Sequence, residues 1–136
     1  MNEKFVVVSI SKDEAHVWNT GIDPKSESLE FHPHGEGAEH RITREKKEGG
    51  RFNERIDADY FEAIVGALSS AGRILLVGHG TGKSSAMLQL IQYLERKHPA
   101  IAHLIVDAVD ADLERLTDAQ VLALAREWRV LNKFNQ

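Results

Sequence analysis

The densest cluster of chemically useful residues is Gly78-His-Gly-Thr-Gly-Lys-Ser84. A P-loop needs a glycine, four residues and then Gly-Lys-Ser/Thr. With that spacing successive backbone N–H groups wrap the phosphates and the lysine meets the outer ones. Gly82, Lys83 and Ser84 supply the end of such a loop, but the residue five positions before Gly82 is Val77. Counting from Gly78 leaves the loop one residue short, which changes the N–H groups that converge. A glycine-rich turn opening a helix can still hold an anion on its free donors. Gly78, Gly80, Gly82, Lys83 and Ser84 are therefore a candidate anion-binding turn. Leu104-Ile-Val-Asp107 reads as a strand ending in a carboxylate. A small nucleotide-binding enzyme using Gly82, Lys83, Ser84 and Asp107 is one functional alternative.

The second cluster is basic. Between His40 and Arg55 stand Arg41, Arg44, Lys46, Lys47, Arg51 and Arg55 against Glu45, Glu48 and Glu54, in a chain whose net charge is -4. Gly49-Gly50 at its centre lets the backbone approach a ligand closely. Guanidinium and ammonium groups set around such a tip suit phosphate oxygens, and each contact adds salt-sensitive affinity. Arg41, Arg44, Lys46, Lys47, Gly49, Gly50, Arg51 and Arg55 are the candidate RNA- or phosphate-binding residues. A solvated loop with compensating charges is the competing explanation.

Other chemistries find less support. With no cysteine, the chain has no disulfide, no thiolate nucleophile and no Cys-based zinc site. Ribonuclease H chemistry needs clustered carboxylates beginning in the first strand, where this chain has Ser9 and Ser11. Asp107, Asp110 and Asp112 are expected in a solvated loop after the fifth strand. His32, His34 and His40, with Glu36 and Glu39, could ligate a metal only if their loop folded on itself, and no rigid helix fixes that geometry. His79 and His103 have no nucleophile or carboxylate at triad spacing. No metal and no cofactor are expected. Trp18 and Trp128 are expected to pack in the core or at its edge.

Length and composition bound the answer. A chain of 136 residues with 42% hydrophobic and 28% charged residues fits one domain, 1–136, able to bury a real core. No apolar run approaches the roughly 20 residues of a membrane helix. The apolar run Phe5 to Val8 is too short for a signal peptide. A cytoplasmic location is the expectation, with no membrane partner. A pI near 6.0 argues against bulk coating of nucleic acid, but it permits a local basic patch.

The elements that would position these clusters follow from periodicity. Phe5 to Ile10 is continuously apolar, as in a strand buried on both faces. Short turns link it to strands at Ala15–Asn19 and Ser28–His32, an antiparallel meander. Residues 33–56 show no period and form a long loop. Phe61, Ile64, Val65 and Leu68 give a helix from Asp57, stopped by Gly72. A strand at Arg73–Val77 precedes the glycine-rich turn. The next helix has Met87, Leu90, Ile91 and Leu94 as its stripe and ends at Arg96, Lys97 and His98 before Pro99. A fifth strand is expected at Ile101–Val106. Thr117 and Gln120 make a capping box for a last helix through Val121, Leu124, Ala125, Trp128 and Leu131. The tail from 132 to 136 is expected to fray. The order β-β-β-α-β-α-β-α predicts a three-layer α/β fold with a mixed five-stranded sheet, the ribonuclease-H-like or translation-component type.

Gly49-Gly-Arg-Phe-Asn-Glu-Arg55, a helix, and then Arg73-Ile-Leu-Leu-Val-Gly-His-Gly-Thr-Gly-Lys83 together resemble a known family. It is the middle domain of eukaryotic and archaeal peptide release factors and of the ribosome-rescue protein Pelota, with its small bacterial relatives. Leu116-Thr-Asp-Ala-Gln-Val-Leu-Ala-Leu-Ala-Arg126 is similar to the closing helix of those bacterial relatives. In the release factors a basic loop carrying Gly-Gly-Gln precedes the long helix, and the glutamine positions the hydrolytic water. Here that position is Arg51, which cannot be assumed to supply the role. The resemblance implies a non-catalytic domain in contact with the ribosome, tRNA or rRNA. A protein-interaction module, as a homodimer through an exposed sheet edge, is the remaining alternative.

Overall fold

The computed structural model describes residues 4–33, 51–80 and 85–132. Five strands form one mixed sheet: β1 (Phe5–Ile10), β2 (Ala15–Trp18), β3 (Leu29–Phe31), β4 (Arg73–Gly78) and β5 (Ile105–Asp110). Their order across the sheet is β3-β2-β1-β4-β5. β1 pairs antiparallel with β2 and β2 with β3, while β1 with β4 and β4 with β5 are parallel. The opening meander and the parallel half are thus as the element order predicts.

Among the described residues four α-helices connect and cover the strands: α1 (Arg51–Ala67), α2 (Ala86–Lys97), the short α3 (Pro99–Ala102) and α4 (Asp118–Asn132). α1 and α2 pack on one face of the sheet, where Tyr60, Phe61, Ile64, Met87, Leu90 and Leu94 meet Val6, Val8, Ile10, Ile74 and Leu76. α4 covers the other face with Val121, Leu122 and Ala125 against Val7, Leu75, Val77 and Trp18. Because β1 and β4 lie inside the sheet, their side chains are buried on both sides, which explains their unbroken apolar runs. Each fully buried Leu or Ile there contributes roughly 1.5–3 kcal/mol of transfer free energy. Trp18 is core, and Trp128 packs at the edge, its ring stacked 6.0 Å from Phe5.

Several boundaries differ from expectation. α1 starts at Arg51 and not at Asp57, so residues 51–56 belong to a helix and not to the loop. The reason is an apolar row at four-residue spacing, Phe52, Ile56, Tyr60, Ile64 and Leu68, which keeps the helical period through the whole segment. That helix ends at Ala67, five residues before Gly72. β5 lies at Ile105–Asp110, four residues later than expected. Pro99, with its fixed φ, starts a helical turn that takes in Ile101 and Ala102, and the amides of Ile101 and Ala102 both donate to His98 O at 3.0 Å. Asp107 and Asp110 are consequently strand residues and not members of a loop. Leu131, expected on the apolar stripe of the last helix, is 73% exposed, because the buried positions of α4 are Val121, Leu122 and Ala125.

The helix caps follow the sequence closely. Ser85 caps α2, accepting from Leu88 N at 3.2 Å, and the His98 amide closes the other end on Leu94 O. The predicted capping box of α4 is formed, with Thr117 N donating to Gln120 Oε1 at 2.8 Å and Gln120 N to Thr117 Oγ1 at 3.1 Å.

α1 and α2 are also tied by a polar clamp. The Glu62 carboxylate accepts from the Tyr93 hydroxyl and, at 2.7 Å, pairs with His98 Nε2. The Tyr93 bond, then His98, holds the Glu62 carboxyl below its ordinary value, while burial and Glu62 push Tyr93 up to about 12. A carboxyl with a depressed folded pKa stabilises above its unfolded value and loses that contribution as pH falls through the folded one. Wild type should therefore lose stability below about pH 4.5 more steeply than Glu62→Gln. Glu62 is half exposed, so screening limits the difference to under about 1 kcal/mol, or about 3 °C in Tm. Melting curves of both proteins from neutral to acid pH check this; parallel profiles would contradict it.

Candidate functional site

The carboxyl ends of the three parallel strands lie at one level: Ile10 of β1 pairs with Gly78 of β4, and Gly78 with Asp110 of β5. The glycine-rich turn begins there. A Cβ on Gly78 would stand 2.7 Å from Ile10 O and 3.3 Å from Met87 Cβ, so only glycine lets β1, β4 and α2 converge. At Gly80 a Cβ would meet Asp110 at 3.1–3.3 Å.

Asp110, expected with Asp107 in a loop, instead ends β5 beside this turn. Its Oδ1 accepts from Gly80 N at 2.9 Å and so takes one of the donors that an anion at this turn would use. The Ser85 hydroxyl, only 4% exposed at the residue level, donates to His79 O and holds the turn from the helix side. Gly82, Lys83 and Ser84 lie outside the described residues. Asp107, grouped with Gly82, Lys83 and Ser84 in the nucleotide-binding alternative, sits in the body of β5 opposite Leu75. It is roughly 10 Å from the strand end by the rise per residue. Its Oδ2 accepts from Trp128 Nε1 at 2.7 Å and its Oδ1 from Ala108 N at 2.8 Å. That carboxylate is engaged in anchoring α4 to the sheet.

The basic cluster is described only in part. Arg41, Arg44, Lys46, Lys47, Gly49 and Gly50 lie outside the described residues, as do His34, Glu36, Glu39 and His40. The backbones of Arg51 and Arg55 are placed, on the first two turns of α1. Two bonds fix the direction of this helix. Asn19 Nδ2 donates to Ala67 O at 3.1 Å near one end of the sheet, and Tyr60 OH donates to Ser11 O at 2.8 Å beyond the other. Nine residues separate Tyr60 from Arg51, about 14 Å of helix. The amino end of α1 therefore points past the same sheet end as the glycine-rich turn. Its dipole is positive at that end.

On the opposite face, the same end of the sheet carries a cleft beside β1. His16 of β2 stands next to it, with Nδ1 3.0 Å from Ser28 Oγ and Nε2 3.3 Å from Glu14 Oε2. His32, further out, is 3.7 Å from Glu30 and half exposed. Among the described residues no three His, Asp or Glu side chains are grouped to hold a metal ion. No helix among them is long and apolar enough to cross a membrane.

No protein-family model matches the chain, and no curated protein matches it. Solved structures do. The chain is similar to part of Archaeoglobus fulgidus Pelota with a TM-score of 0.51 at 15% identity, covering 97% of this chain and 38% of that one. A second structure, described as an archaeal protein, gives a TM-score of 0.39 at 13% identity and covers 96% of this chain and 40% of its own. The chain therefore spans about two fifths of the length of these structures. At this identity the likeness to Pelota is one of fold: the mixed α/β sheet and its helices are a Pelota-like arrangement.

Proposed function

We propose that this chain is a translation-related, RNA-contacting domain, akin to the middle domain of Pelota and the release factors. In this proposal it binds phosphate through Arg41, Arg44, Lys46, Lys47, Gly49, Gly50, Arg51 and Arg55. The observation that carries the reading is the course of α1. Arg51 and Arg55 stand on the helix end that projects past the carboxyl end of the sheet, continuous in sequence with the basic Gly-Gly segment. A helix amino end and clustered guanidinium groups act on phosphate with the same sign. The Pelota-like fold supports the ribosome, or its tRNA and rRNA, as the source of that phosphate. Binding is proposed without ester hydrolysis, since Arg51 occupies the position of the family's glutamine. A second phosphate contact at Gly78, Gly80, Gly82, Lys83 and Ser84 would first have to displace Asp110 from the Gly80 amide.

The reading predicts binding to tRNA that falls steeply with salt. If four phosphates are neutralised, affinity should drop by roughly a hundredfold between 50 and 200 mM salt. Fluorescence anisotropy with labelled tRNA measures this directly. Binding that is insensitive to salt, or absent at the lower concentration, would overturn the electrostatic account.

A further inference from the structure

The cleft at the carboxyl end of β1 has a volume of about 380 Å³ and opens between the β1–β2 turn and the start of α4. Ser9 lines it from the strand. This residue is 4% exposed, and its hydroxyl has no hydrogen-bond partner among the described residues. On the same face of β1 its neighbour is Val7, an apolar core residue. A buried hydroxyl without a protein partner is destabilising unless water or a ligand in the cleft takes its hydrogen bond, so Ser9 is placed to receive one.

The surrounding charge says what that partner is. Asp13, Glu14, Glu114 and Asp118 line the cleft against a single lysine, Lys12. Carboxylates from three elements also converge on His16, the other ionisable group of the lining. Glu14 lies 3.3 Å from its Nε2, and Asp118 and Glu30 lie 3.9 and 4.0 Å from its Nδ1. An anion is repelled from such a site. One wall is apolar, formed by Leu113, Leu116 and Val121, while Ser11 lines the cleft from the β1–β2 turn. Among the described residues none are grouped to hold a metal, whereas carboxylates beside an aliphatic wall fit a cationic head on a methylene stem.

We infer that this cleft binds an alkyl guanidinium or alkyl ammonium group. Its stem lies on Leu116 and Val121, its charge is shared by Asp118, Glu114, Asp13 and Glu14, and one N–H is accepted by Ser9 Oγ. The group is either a free small cation or the arginine or lysine side chain of a partner protein. The inference is independent of phosphate binding by the basic segment, which uses none of these residues.

The test is a titration of the isotopically labelled full chain with agmatine, and separately with a capped Gly-Arg-Gly peptide, followed by amide NMR. Saturable shifts at Ser9, Leu116 and Val121 are expected, with a Kd of about 1 mM. The double variant Glu114→Gln, Asp118→Asn should weaken binding at least roughly tenfold. Ser9→Ala should weaken it about threefold and raise the Tm of the free protein by about 3 °C, as an unpaired hydroxyl is removed. A peptide that binds at least tenfold tighter than agmatine assigns the site to a partner's side chain; agmatine binding as tightly assigns it to a free cation. No saturable shift with either probe, shifts reproduced by sodium chloride at equal ionic strength, or binding unchanged in the double variant would overturn the inference.

Discussion

Gly78→Ala is expected to destabilise the fold by about 3 kcal/mol, although it adds a single methyl group. The methyl carbon would lie 2.7 Å from the carbonyl oxygen of Ile10, well inside contact distance, and the obstacle is backbone in the central strand. Met87, on the other side, is 2% exposed and packed in the core, so it has little room to retreat. Relief requires β1 and β4 to part where their parallel register ends, which also loosens the start of α2. Gly66 provides the internal contrast. It lies in α1, and a Cβ added there would meet nothing within 4 Å. Gly66→Ala should therefore stabilise by up to about 1 kcal/mol through helix propensity. Urea unfolding of the two variants reads both effects as opposite shifts in midpoint. A neutral Gly78→Ala would mean that β1 and β4 are not held this close together.

The contrast between these glycines also marks what could be learned from sequence. Gly66 and Gly78 are the same residue type, and only the tertiary approach of Ile10 separates their roles. Features set by local physics were legible: the two-sided burial of β1, the strand β4, the stripe of α2, the Thr117–Gln120 box and the stop at His98-Pro99. The order of elements also implied the mixed sheet, because short turns force antiparallel neighbours and helical crossovers force parallel ones.

Errors arose where two local signals competed. Ile101-Ala-His-Leu-Ile-Val106 looks like a strand by composition, yet Pro99 at the start of a helix turns its first residues into α3. The same misplacement hid Asp110, whose contact with Gly80 spans 30 residues of sequence. Its signal, a carboxylate at the end of the displaced strand, emerges once Pro99 is recognised as a helix start. The start of α1 was hidden differently. Gly49-Gly50 and the surrounding charges resemble a loop, while the four-residue row from Phe52 already carries the helical period. Ser9 offered no local signal, since its burial and missing partner depend on how α4 and the β1–β2 turn enclose it.

Replacing Arg44, Lys46, Lys47 and Arg51 by glutamate should have the largest functional effect of any of these changes. Each reversal removes an attraction to phosphate and adds a repulsion, so four together should lower affinity for RNA by at least roughly a hundredfold. The described cores on both faces of the sheet are built of apolar side chains, so exchanging four basic residues for acidic ones should leave the melting transition in place. Co-sedimentation with ribosomes through a sucrose cushion, for wild type and this variant at low and high salt, tests the central claim most directly. The account predicts wild-type protein in the pellet at low salt, less of it at high salt, and the folded variant in the supernatant throughout. Wild type remaining in the supernatant at low salt, or a variant that pellets as well as wild type, would contradict it.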